Sequence, residues 1–382
     1  MKKVCLGDIC KIVSGSTPKS NISEYWDGNI KWITPAEIDE DAYIITDSVR
    51  KITELGVKKT GLTSFPEGTV LLSSRAPIGK VAIAGCEMYC NQGFKNLICS
   101  EQINNKFLYW FLKGKTEYLN SLGRGATFKE LSKEIVSNIK IDIPSKKNQL
   151  EIVEKIEKIN KIILLRKKEL TELNNIVKAR FVEMFGTESE FDKWSCCTIG
   201  DVANVCVGVV IKPTQYYTDK GIPAFRSLNI GEMCVKDSDW VYFTEEGYQK
   251  NQKSVIHTND VLVVRSGAPG TACVATEKYD GYNAVDIIIA HPDNRKVNSI
   301  FLAAFTNMPH GMNQIRVRTG GAAQQHFNVG GYKAMRLIMP PIELQNQFAA
   351  FVTQIDKSKV AVQKALEEAQ LLFDSLMQKY FG

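Results

Sequence analysis

The sequence lacks the features that mark exported, membrane-spanning or metal-binding proteins. Its first ten residues hold two lysines but no apolar run of signal-peptide length, and no segment approaches the roughly 20 apolar residues of a membrane span. Only four histidines occur in 382 residues, and the ten cysteines never form the paired CxxC spacing of a zinc site. We therefore expect a cytoplasmic protein with no membrane partner and no structural metal, whose cysteines are reduced and mostly buried.

Motifs of phosphate, cofactor and methyl-transfer chemistry are also missing. The string closest to a GxxxxGK[ST] phosphate loop ends in Ile78-Gly79-Lys80 and lacks both the leading glycine and the Ser/Thr. There is no GxGxxG for a dinucleotide or methyl donor, and no Asn-Pro-Pro-Tyr or Asp-Pro-Pro-Tyr tetrapeptide to hold a flipped adenine. The sequence thus predicts no catalytic residue and no cofactor held by this chain.

Charge alone does not identify a partner. A balance of 48 basic against 42 acidic residues, a net charge of +6 and a pI near 8.6 suit a polyanion, but many proteins share these values. The hydrophobic content of 44% is enough for real cores. Because the chain is longer than one core usually organises, we expect at least two domains.

What the sequence does contain is an internal duplication. Short segments of the first half recur in the second half in the same order and with similar spacing. The matches are Leu6-Gly7-Asp8-Ile9 with Ile199-Gly200-Asp201-Val202, Val13-Ser14-Gly15 with Cys206-Val207-Gly208, Val70-Leu71-Leu72 and Ala76-Pro77-Ile78-Gly79 with Val261-Leu262-Val263 and Ala268-Pro269-Gly270, Gly125-Ala126 with Gly321-Ala322, Ile143-Pro144 with Met339-Pro340, and Phe185-Gly186 with Phe381-Gly382. The alternative is chance similarity among common residues, which the shared order argues against.

Each half divides into a strand-rich portion and a long helix. Residues 1–145 and 188–340 hold short β-type runs punctuated by Gly, Pro and Asn, with helices predicted over 105–112 and 299–307. The segments 146–187 and 341–382 then continue past a proline without further breakers until Phe-Gly. The fold is therefore predicted to be α+β, with two strand-rich α/β domains, 1–145 and 188–340, separated by helices over 146–187 and 341–382.

The apolar positions of both predicted helices follow the 4-3 spacing of a coiled-coil seam. In the first helix they are 152, 156, 159, 163, 170, 173, 177 and 184, with Arg166 and Arg180 in the two skipped slots; in the second they are Phe348, Val352, Ile355, Lys359, Val362, Leu366, Ala369, Phe373, Leu376 and Tyr380. Cations at seam positions fix register and discourage self-pairing, so the two helices are predicted to pair with each other. At about 1.5 Å per residue they would form a spacer of roughly 50 to 55 Å. The alternative is that each helix packs on its own domain.

The first half carries a series of short motifs, followed by a helix and a second copy. The first-half motifs are Gly15-Ser16-Thr17-Pro18, Tyr25-Trp26, Ile30-Lys31-Trp32-Ile33-Thr34-Pro35, Gly61-Leu62, Ser74-Arg75-Ala76-Pro77-Ile78-Gly79, Asn91-Gln92-Gly93-Phe94 and Gly123-Arg124-Gly125-Ala126-Thr127-Phe128. The second copy is more divergent: it keeps Arg265, Gly267-Ala268-Pro269-Gly270 and Gly320-Gly321-Ala322, but has Gly208-Val209-Val210-Ile211-Lys212-Pro213 in place of Gly15-Ser16-Thr17-Pro18. In this order the series resembles the specificity subunits of Type I restriction-modification systems.

The resemblance implies two target-recognition domains with pseudo-twofold symmetry, held apart by an antiparallel two-helix coiled coil. Each domain would read one half of a bipartite, asymmetric site on double-stranded DNA, and the helices would set the gap. It also implies two methyltransferase subunits and, in the full complex, two restriction-translocase subunits in a prokaryotic cytoplasm. S-adenosylmethionine, ATP and Mg²⁺ would then belong to those partners.

Recognition needs cations for phosphates and amide or guanidinium groups for base edges. The loops of the first domain offer seven candidates, those of the second offer eight, and Trp26 and Trp32 are assigned to the core instead. The candidates are Lys19, Arg75, Lys80, Gln92, Lys95, Arg124 and Lys129 in the first domain, and Lys212, Gln215, Arg226, Arg265, Arg316, Arg318, Gln324 and Gln325 in the second. For each one the alternative is a solvated or structural polar side chain, above all for Arg75 and Arg265, which follow buried-looking strands.

Two rival functions stay open at this point. The chain could be a self-sufficient DNA-modifying enzyme, which the missing motifs argue against. It could also be a scaffold whose helices bind protein and whose domains never touch DNA. Methyl transfer by the purified chain tests the first rival, and DNA binding with and without a methyltransferase tests the second.

Overall fold

A computed structural model of the chain describes residues 2–75, 77–124, 129–319 and 326–382. They form two compact units: unit 1 comprises Met1–Arg166 and Ala365–Gly382, and unit 2 comprises Lys167–Lys364. The division passes through the middle of both long helices, so each helix contributes to both units. In the part of the chain that is described, no helix is both long and apolar enough to cross a membrane.

Unit 1 is built from short strands and short helices around the start of the first long helix. Its strands are β1 (Lys2–Cys5), β2 (Cys10–Val13), β3 (Trp26–Ile33), β4 (Ile44–Ile45), β5 (Lys51–Ile52), β6 (Val70–Leu72), β7 (Val81–Ala84), β8 (Tyr89–Cys90), β9 (Asn96–Cys99) and β10 (Lys140–Ile143). Its helices are α1 (Leu6–Ile9), α2 (Glu54–Thr60), α3 (Asn105–Lys113), α4 (Thr116–Leu122), α5 (Lys133–Ser137) and α6 (Lys146–Phe185), the last continuing into unit 2.

The central sheet of unit 1 has the strand order β2-β9-β6-β7-β4. Strands β6 and β7 are apolar at every position, because both faces of the sheet are covered. Val70 and Leu72 point into one core, which contains α3, whereas Leu71 points into a second core on the opposite face. Two smaller sheets, β5-β3-β8 and β1-β10, complete the unit. In the first of these, Trp26 and Trp32 are 6% and 3% exposed and stack edge to face, which confirms their predicted place in the core.

Unit 2 repeats this plan. Its strands are β11 (Ser195–Thr198), β12 (Ala203–Val207), β13 (Tyr217–Thr218), β14 (Ile222–Phe225), β15 (Ile230–Gly231), β16 (Cys234–Val235), β17 (Val241–Phe243), β18 (Val261–Val264), β19 (Ala272–Val274), β20 (Asn283–Ala284), β21 (Ile287–Pro292) and β22 (Arg336–Met339). Its helices are α7 (Ile199–Val202), α8 (Glu245–Lys250), α9 (Ser299–Asn307), α10 (Pro309–Thr319), α11 (Val329–Lys333) and α12 (Ile342–Phe381), the last continuing into unit 1.

The sheets of unit 2 match those of unit 1 strand for strand at their centres. The order β12-β21-β18-β19 corresponds to β2-β9-β6-β7, and β17-β14-β20 corresponds to β5-β3-β8. Alternate residues of β18 again face two different cores, with Val261 in one and Leu262 in the other. The duplication inferred from short motifs is therefore a duplication of topology, and the predicted α+β class is confirmed.

Two glycines explain why a motif recurs after β2 and β12. A Cβ atom on Gly15 would overlap the carbonyl oxygen of Cys90, and one on Gly208 would lie 2.6 Å from the carbonyl carbon of Ala284. At both places the chain leaves the central sheet against the backbone of a neighbouring strand. Only glycine allows so close an approach.

The two long helices begin in the same way, on a buried glutamine. Gln149 Oε1 accepts the N–H of Asn104 over 2.8 Å, and Gln345 Oε1 accepts the N–H of Asn298 over 3.0 Å. Both glutamines are fully buried, and both donate Nε2 to the carbonyl of the preceding proline segment. Each thus ties its long helix to the start of α3 or α9, the helices predicted over 105–112 and 299–307.

All predicted seam positions of α6 and α12, including Arg166, Arg180 and Lys359, are buried or half-buried. In unit 2 the ring of Phe185 lies 5.6 Å from that of Phe348, while the earlier Val177 and the later Lys359 line one small cavity. The two half-helices in this unit therefore run antiparallel. In unit 1, Val153 of α6 and Phe381 of α12 share a core.

Candidate nucleic-acid interface

Two loops of unit 1 meet at one end of β6, and we call them the unit 1 loop junction. They are residues 73–80, which follow β6, and residues 123–131, which precede α5. The N–H of Leu131 donates to the carbonyl of Ser74 over 3.0 Å, and Arg124 pairs with Glu130 as an isolated antiparallel bridge. Ala76 and the motif residues Gly125–Phe128 lie outside the described residues. The two stretches carry four of the six cations predicted in unit 1, Arg75, Lys80, Arg124 and Lys129.

Three charged side chains, those of Lys95, Arg75 and Glu130, connect the two loops of this junction. Lys95 is 8% exposed, and its Nζ lies 3.2 Å from Glu130 Oε1 and 3.3 Å from Ser74 Oγ. Arg75 lies 3.8 Å from the same carboxylate but keeps 35% of its side chain exposed. A buried ammonium group that already has a carboxylate offers little surface to a phosphate. We therefore assign Lys95 to holding the junction, while Arg75 remains accessible.

The other predicted residues of unit 1 lie at its surface. Lys19, Arg124 and Lys129 are exposed. Lys80 is half-buried, with its Nζ 3.1 Å from the carbonyl oxygen of Pro35. Gln92 is exposed, and the hydroxyl of Thr17 donates to its Oε1, which fixes the orientation of the amide.

Unit 2 has an equivalent loop junction, formed by residues 264–271 and 326–328, with Arg265 at its centre. The Arg265 side chain is buried, with Nε 3.0 Å from the Phe327 carbonyl oxygen and Nη1 2.6 Å from Asp286 Oδ1. Nη2 contacts His326 Nε2, and His326 Nδ1 lies 2.7 Å from Ser266 Oγ. All three nitrogens of the guanidinium group thus contact groups of the protein itself. The predicted Gln324 and Gln325, in the same segment, lie outside the described residues.

Lys212 and Gln215 lie together in one exposed turn of unit 2. Lys212 has φ of 45°, a left-handed conformation that is uncommon for a residue with a side chain. The N–H of Gln215 donates to the Lys212 carbonyl oxygen over 3.2 Å and closes the turn. Both side chains therefore project from a defined backbone.

The remaining predicted arginines of unit 2 differ in availability. Arg226 is half-buried and donates through Nη2 to the Asp239 carbonyl. Arg316 and Arg318 are exposed on α10. Arg318 donates to the carbonyls of Gln314 and Ala334, at 3.0 and 3.1 Å. Arg316 therefore remains the more available of the two for an outside partner.

The register of the sheets shows which residues of the two units occupy the same place. Val70 faces Ile83 as Val261 faces Val274, so Ser74 corresponds to Arg265. The N–H groups of Leu131 and Phe327 bond to those two residues, so Glu130 corresponds to His326. Both junctions are thus held by a buried cation, which is Lys95, directly before β9, in unit 1 and Arg265, directly after β18, in unit 2. The two cations also meet different partners.

One comparison decides the family. Residues 1–175 and 192–371 match the family described as the Type I restriction modification DNA specificity domain. The chain belongs to this family.

Relatives of the specificity-domain family agree over almost the whole chain. The chain is 28% identical to the Type I restriction enzyme MjaIX specificity subunit of Methanocaldococcus jannaschii, covering 97% of this chain and 90% of the relative. Its fold is similar to that of the Type I restriction-modification S subunit from M. genitalium, with a TM-score of 0.58, 14% identity and coverage of 100% and 96%. A structure solved in work on complex assembly and conformational transition of the type I R-M system gives the same TM-score at 18% identity, covering 100% of this chain and 97% of that one.

Sequence reasoning did not find the partners that hold the loop junctions of this specificity-domain chain. Glu130, Asp286 and His326 are not among the residue types (Lys, Arg, Asn and Gln) that were sought as phosphate and base contacts, so they were passed over. A signal was present: Glu130 and His326 each stand two residues before a helix N-cap, Ser132 or Asn328, in the two copies. Among the described residues no group of three His, Cys, Asp or Glu side chains is placed to hold a metal ion.

A second missed feature is an exposed apolar pair in unit 2. The N–H of Ser16 bonds to the Cys90 carbonyl as that of Val209 bonds to Ala284, so Thr17 corresponds to Val210. Val210 and the next residue, Ile211, are 47% and 79% exposed. At the surface where unit 1 presents a hydroxyl and an amide, unit 2 therefore presents aliphatic side chains beside Lys212.

Proposed function

We propose that this chain is the DNA-reading subunit of a Type I restriction-modification complex and that its two units read the two halves of one bipartite, asymmetric site. Residues 1–145 and 188–340 would be the recognition domains, with spacer helices over 146–187 and 341–382. The observation that carries the proposal is that two domains of one topology present unlike side chains at matching loop positions. Two domains that read the identical halves of a palindromic site would have no need to differ at these loop positions.

The exposed groups of unit 1 suit polar contacts with DNA. An amide with a fixed orientation pairs with the N6 and N7 atoms of adenine in the major groove, and Gln92 held by Thr17 is such a group. Lys19, Arg124 and Lys129 would neutralise phosphates nearby. Arg75 belongs to the loop junction, and its partly exposed side chain could contact either a phosphate or a base.

Unit 2 suits a different base composition. Aliphatic side chains recognise the C5 methyl group of thymine, and Ile211 and Val210 are the exposed candidates. Lys212, Gln215 and Arg316 supply polar and cationic groups on the same unit. The target half-sites are therefore proposed to differ, with a thymine contact in the half read by unit 2.

The helices are proposed to set the gap between the half-sites and to dock two methyltransferase subunits. Both helices expose large apolar side chains. Such side chains are unusual on a helix that has no partner and are typical of protein interfaces. These side chains are Leu150, Ile162, Leu164, Leu165, Ile176, Val182, Val360, Leu371 and Leu372. S-adenosylmethionine, ATP and Mg²⁺ would be bound by the methyltransferase and restriction subunits, in the cytoplasm of a prokaryotic cell where the DNA target lies.

Single-molecule detection of methylated adenines tests the proposal. Cells that carry the methyltransferase with this chain should show one split, non-palindromic motif that is absent without the chain. Replacing residues 188–340 by the same region of another family member should change one half of the motif only. A motif that does not depend on this chain would refute the proposal.

Two assays on the purified chain address the rival functions. The chain alone should transfer no labelled methyl group from S-adenosylmethionine to DNA, because that step is assigned to the partner. Gel-shift experiments should show sequence-specific DNA binding with the methyltransferase present. Methyl transfer by the chain alone would make it an enzyme, and a complex without DNA binding would make it a scaffold.

A further inference from the structure

Three side chains of unit 2 form a hydrogen-bonded series away from its loop junction. Asp260 Oδ1 lies 2.7 Å from His291 Nδ1, and His291 Nε2 lies 3.5 Å from Cys206 Sγ. Cys206 is on β12, His291 is on the paired strand β21, and Asp260 directly precedes β18. A thiol, an imidazole and a carboxylate in this order form the arrangement that activates cysteine nucleophiles.

The histidine in this series is positively charged at neutral pH. The hydrogen bond that His291 donates to Asp260, together with the smaller effect of its hydrogen bond with Cys206, raises the pKa of His291 to about 10. Asp260 is fixed in place, since its side chain is 4% exposed and its other oxygen accepts the N–H of His257 over 2.6 Å. His291 therefore presents an N–H donor with a positive charge to the sulfur.

The series belongs to unit 2 alone. By strand register, Cys206 corresponds to Val13, and His291 to Ile98. Asp260 corresponds to Thr69, because the N–H groups of Ala275 and Ala84 bond to their respective carbonyls. Three positions that are far apart in sequence thus differ together between the copies. A fold requirement would apply to both units and does not explain the difference.

We propose that Cys206 is a nucleophilic modification site that reacts with soft carbon electrophiles of the haloacetamide class. The thiol loses its proton to the buffer, and the sulfur then attacks the carbon that bears the halogen. The S–C bond forms as the carbon–iodine bond breaks, and iodide leaves. His291 keeps its proton throughout and stabilises the negative charge on sulfur before and during the attack.

Cys196 provides a matched comparison within the same unit. Both thiols are half-buried and both donate to a backbone carbonyl, Cys206 to Lys253 over 3.3 Å and Cys196 to Trp194 over 3.7 Å. Among the described residues, Cys206 is the cysteine whose thiol makes a hydrogen bond with an imidazole. Cys273 is fully buried, so its labelling reports loss of folding.

The experiment treats the full chain with limiting iodoacetamide and follows each cysteine by peptide mass spectrometry. In the unaltered protein Cys206 should react at least about tenfold faster than Cys196. Equal or slower reaction at Cys206 would overturn the proposal without the need for any variant.

Two variants then test the cause. His291→Asn should slow the labelling of Cys206 toward the rate of Cys196, and Asp260→Asn should slow it as well, while Cys196 keeps its rate. Cys273 should stay unlabelled in both, which shows that unit 2 is folded. An unchanged Cys206 rate in either folded variant would show that His291 does not activate the thiol and would overturn the proposal.

Discussion

Arg265 and Asp286 form a 2.6 Å ion pair at the loop junction of unit 2, with only 10% of the arginine side chain exposed. Asp286 is held there with φ of 48°, a conformation that a residue with a side chain adopts only when its surroundings stabilise it. The pair therefore fixes the backbone at the point where β21 begins. It is a structural contact at a place where the sequence predicted a DNA contact.

The first prediction separates Arg265 from Arg75. Arg265→Ala should lower the free energy of unfolding by about 3 kcal/mol, because it leaves Asp286 and the Phe327 carbonyl without their partner. Arg75→Ala should cost less than about 1 kcal/mol, because its 3.8 Å ion pair is partly exposed, yet it should weaken DNA binding. Chemical denaturation and DNA affinity of the two variants check this, and equal loss of stability would contradict it.

The second prediction concerns phosphate contacts. Arg124→Ala should weaken DNA binding by the complex with the methyltransferase and make the slope of log Kobs against log salt shallower by about 0.9, the value for one lost phosphate contact. Arg318→Ala is the comparison, since that side chain already holds the Gln314 and Ala334 carbonyls. The Arg318→Ala variant should have a lower Tm, and its salt slope should stay close to that of the unaltered complex. An Arg124→Ala complex with unchanged affinity and slope would remove Arg124 from the interface.

The third prediction concerns the gap between half-sites. Seven residues inserted after Arg166 and seven after Lys364 keep the seam spacing of both helices and lengthen each by about 10 Å. The methylated motif should keep both half-sites, and its gap should grow by about 3 bp, because ~10 bp span one turn of about 34 Å. Insertion into one helix only should reduce methylation, because the apolar seam positions of the two helices would no longer face each other. An unchanged gap with paired insertions would show that the helices do not set it.

The fourth prediction concerns Ile211. Deoxyuridine lacks the C5 methyl group of thymine, so replacing thymines one at a time in the half-site read by unit 2 should reveal one position at which affinity falls by about 1 kcal/mol. Ile211→Ala should be insensitive to that replacement and otherwise retain binding. If no thymine shows this behaviour while specific binding persists, Ile211 does not read a base.

The fifth prediction is a pH dependence. The folded-state pKa of His291, about 10, lies above its ordinary value, so the stabilisation from the pair with Asp260 is complete below pH 6.5 and is lost as pH rises through 10. Cys206 and His257, whose ring lies 6.0 Å away, are the other titratable neighbours. The difference in Tm between the unaltered chain and His291→Asn should be largest at pH 6 and shrink toward pH 10. A constant difference would contradict the assigned charge.

The elements with strong periodicity were predictable from sequence. The seam positions of α6 and α12 were identified because a 3.5-residue repeat over about forty residues has no other simple explanation. The duplication was also readable, since turns such as those at Gly79 and Gly270, with φ of 94° and 95°, need glycine in both copies.

The interior of the loop junctions was not predictable. Lys95 directly precedes a strand and Arg265 directly follows one, in Gly-containing loops, which are the usual place for contacts with a partner. The residues around each cation in the sequence do not indicate that Glu130 or Asp286 would neutralise it. The residues of these two pairs are 35 and 21 positions apart in the sequence. Long-range pairing of this kind depends on register, which single-sequence patterns do not supply.

The division of the chain into units has a consequence for its synthesis. Unit 2 is one continuous stretch, Lys167–Lys364, whereas unit 1 needs residues from both ends, since Phe381 is buried in the same core as Phe107 and Val153. On the ribosome unit 1, whose larger part is made first, must therefore wait for the last turns of α12, and unit 2 is finished earlier. A circular permutant that begins at Ala365 and joins Gly382 to Met1 would make both units continuous and restore the usual order of completion.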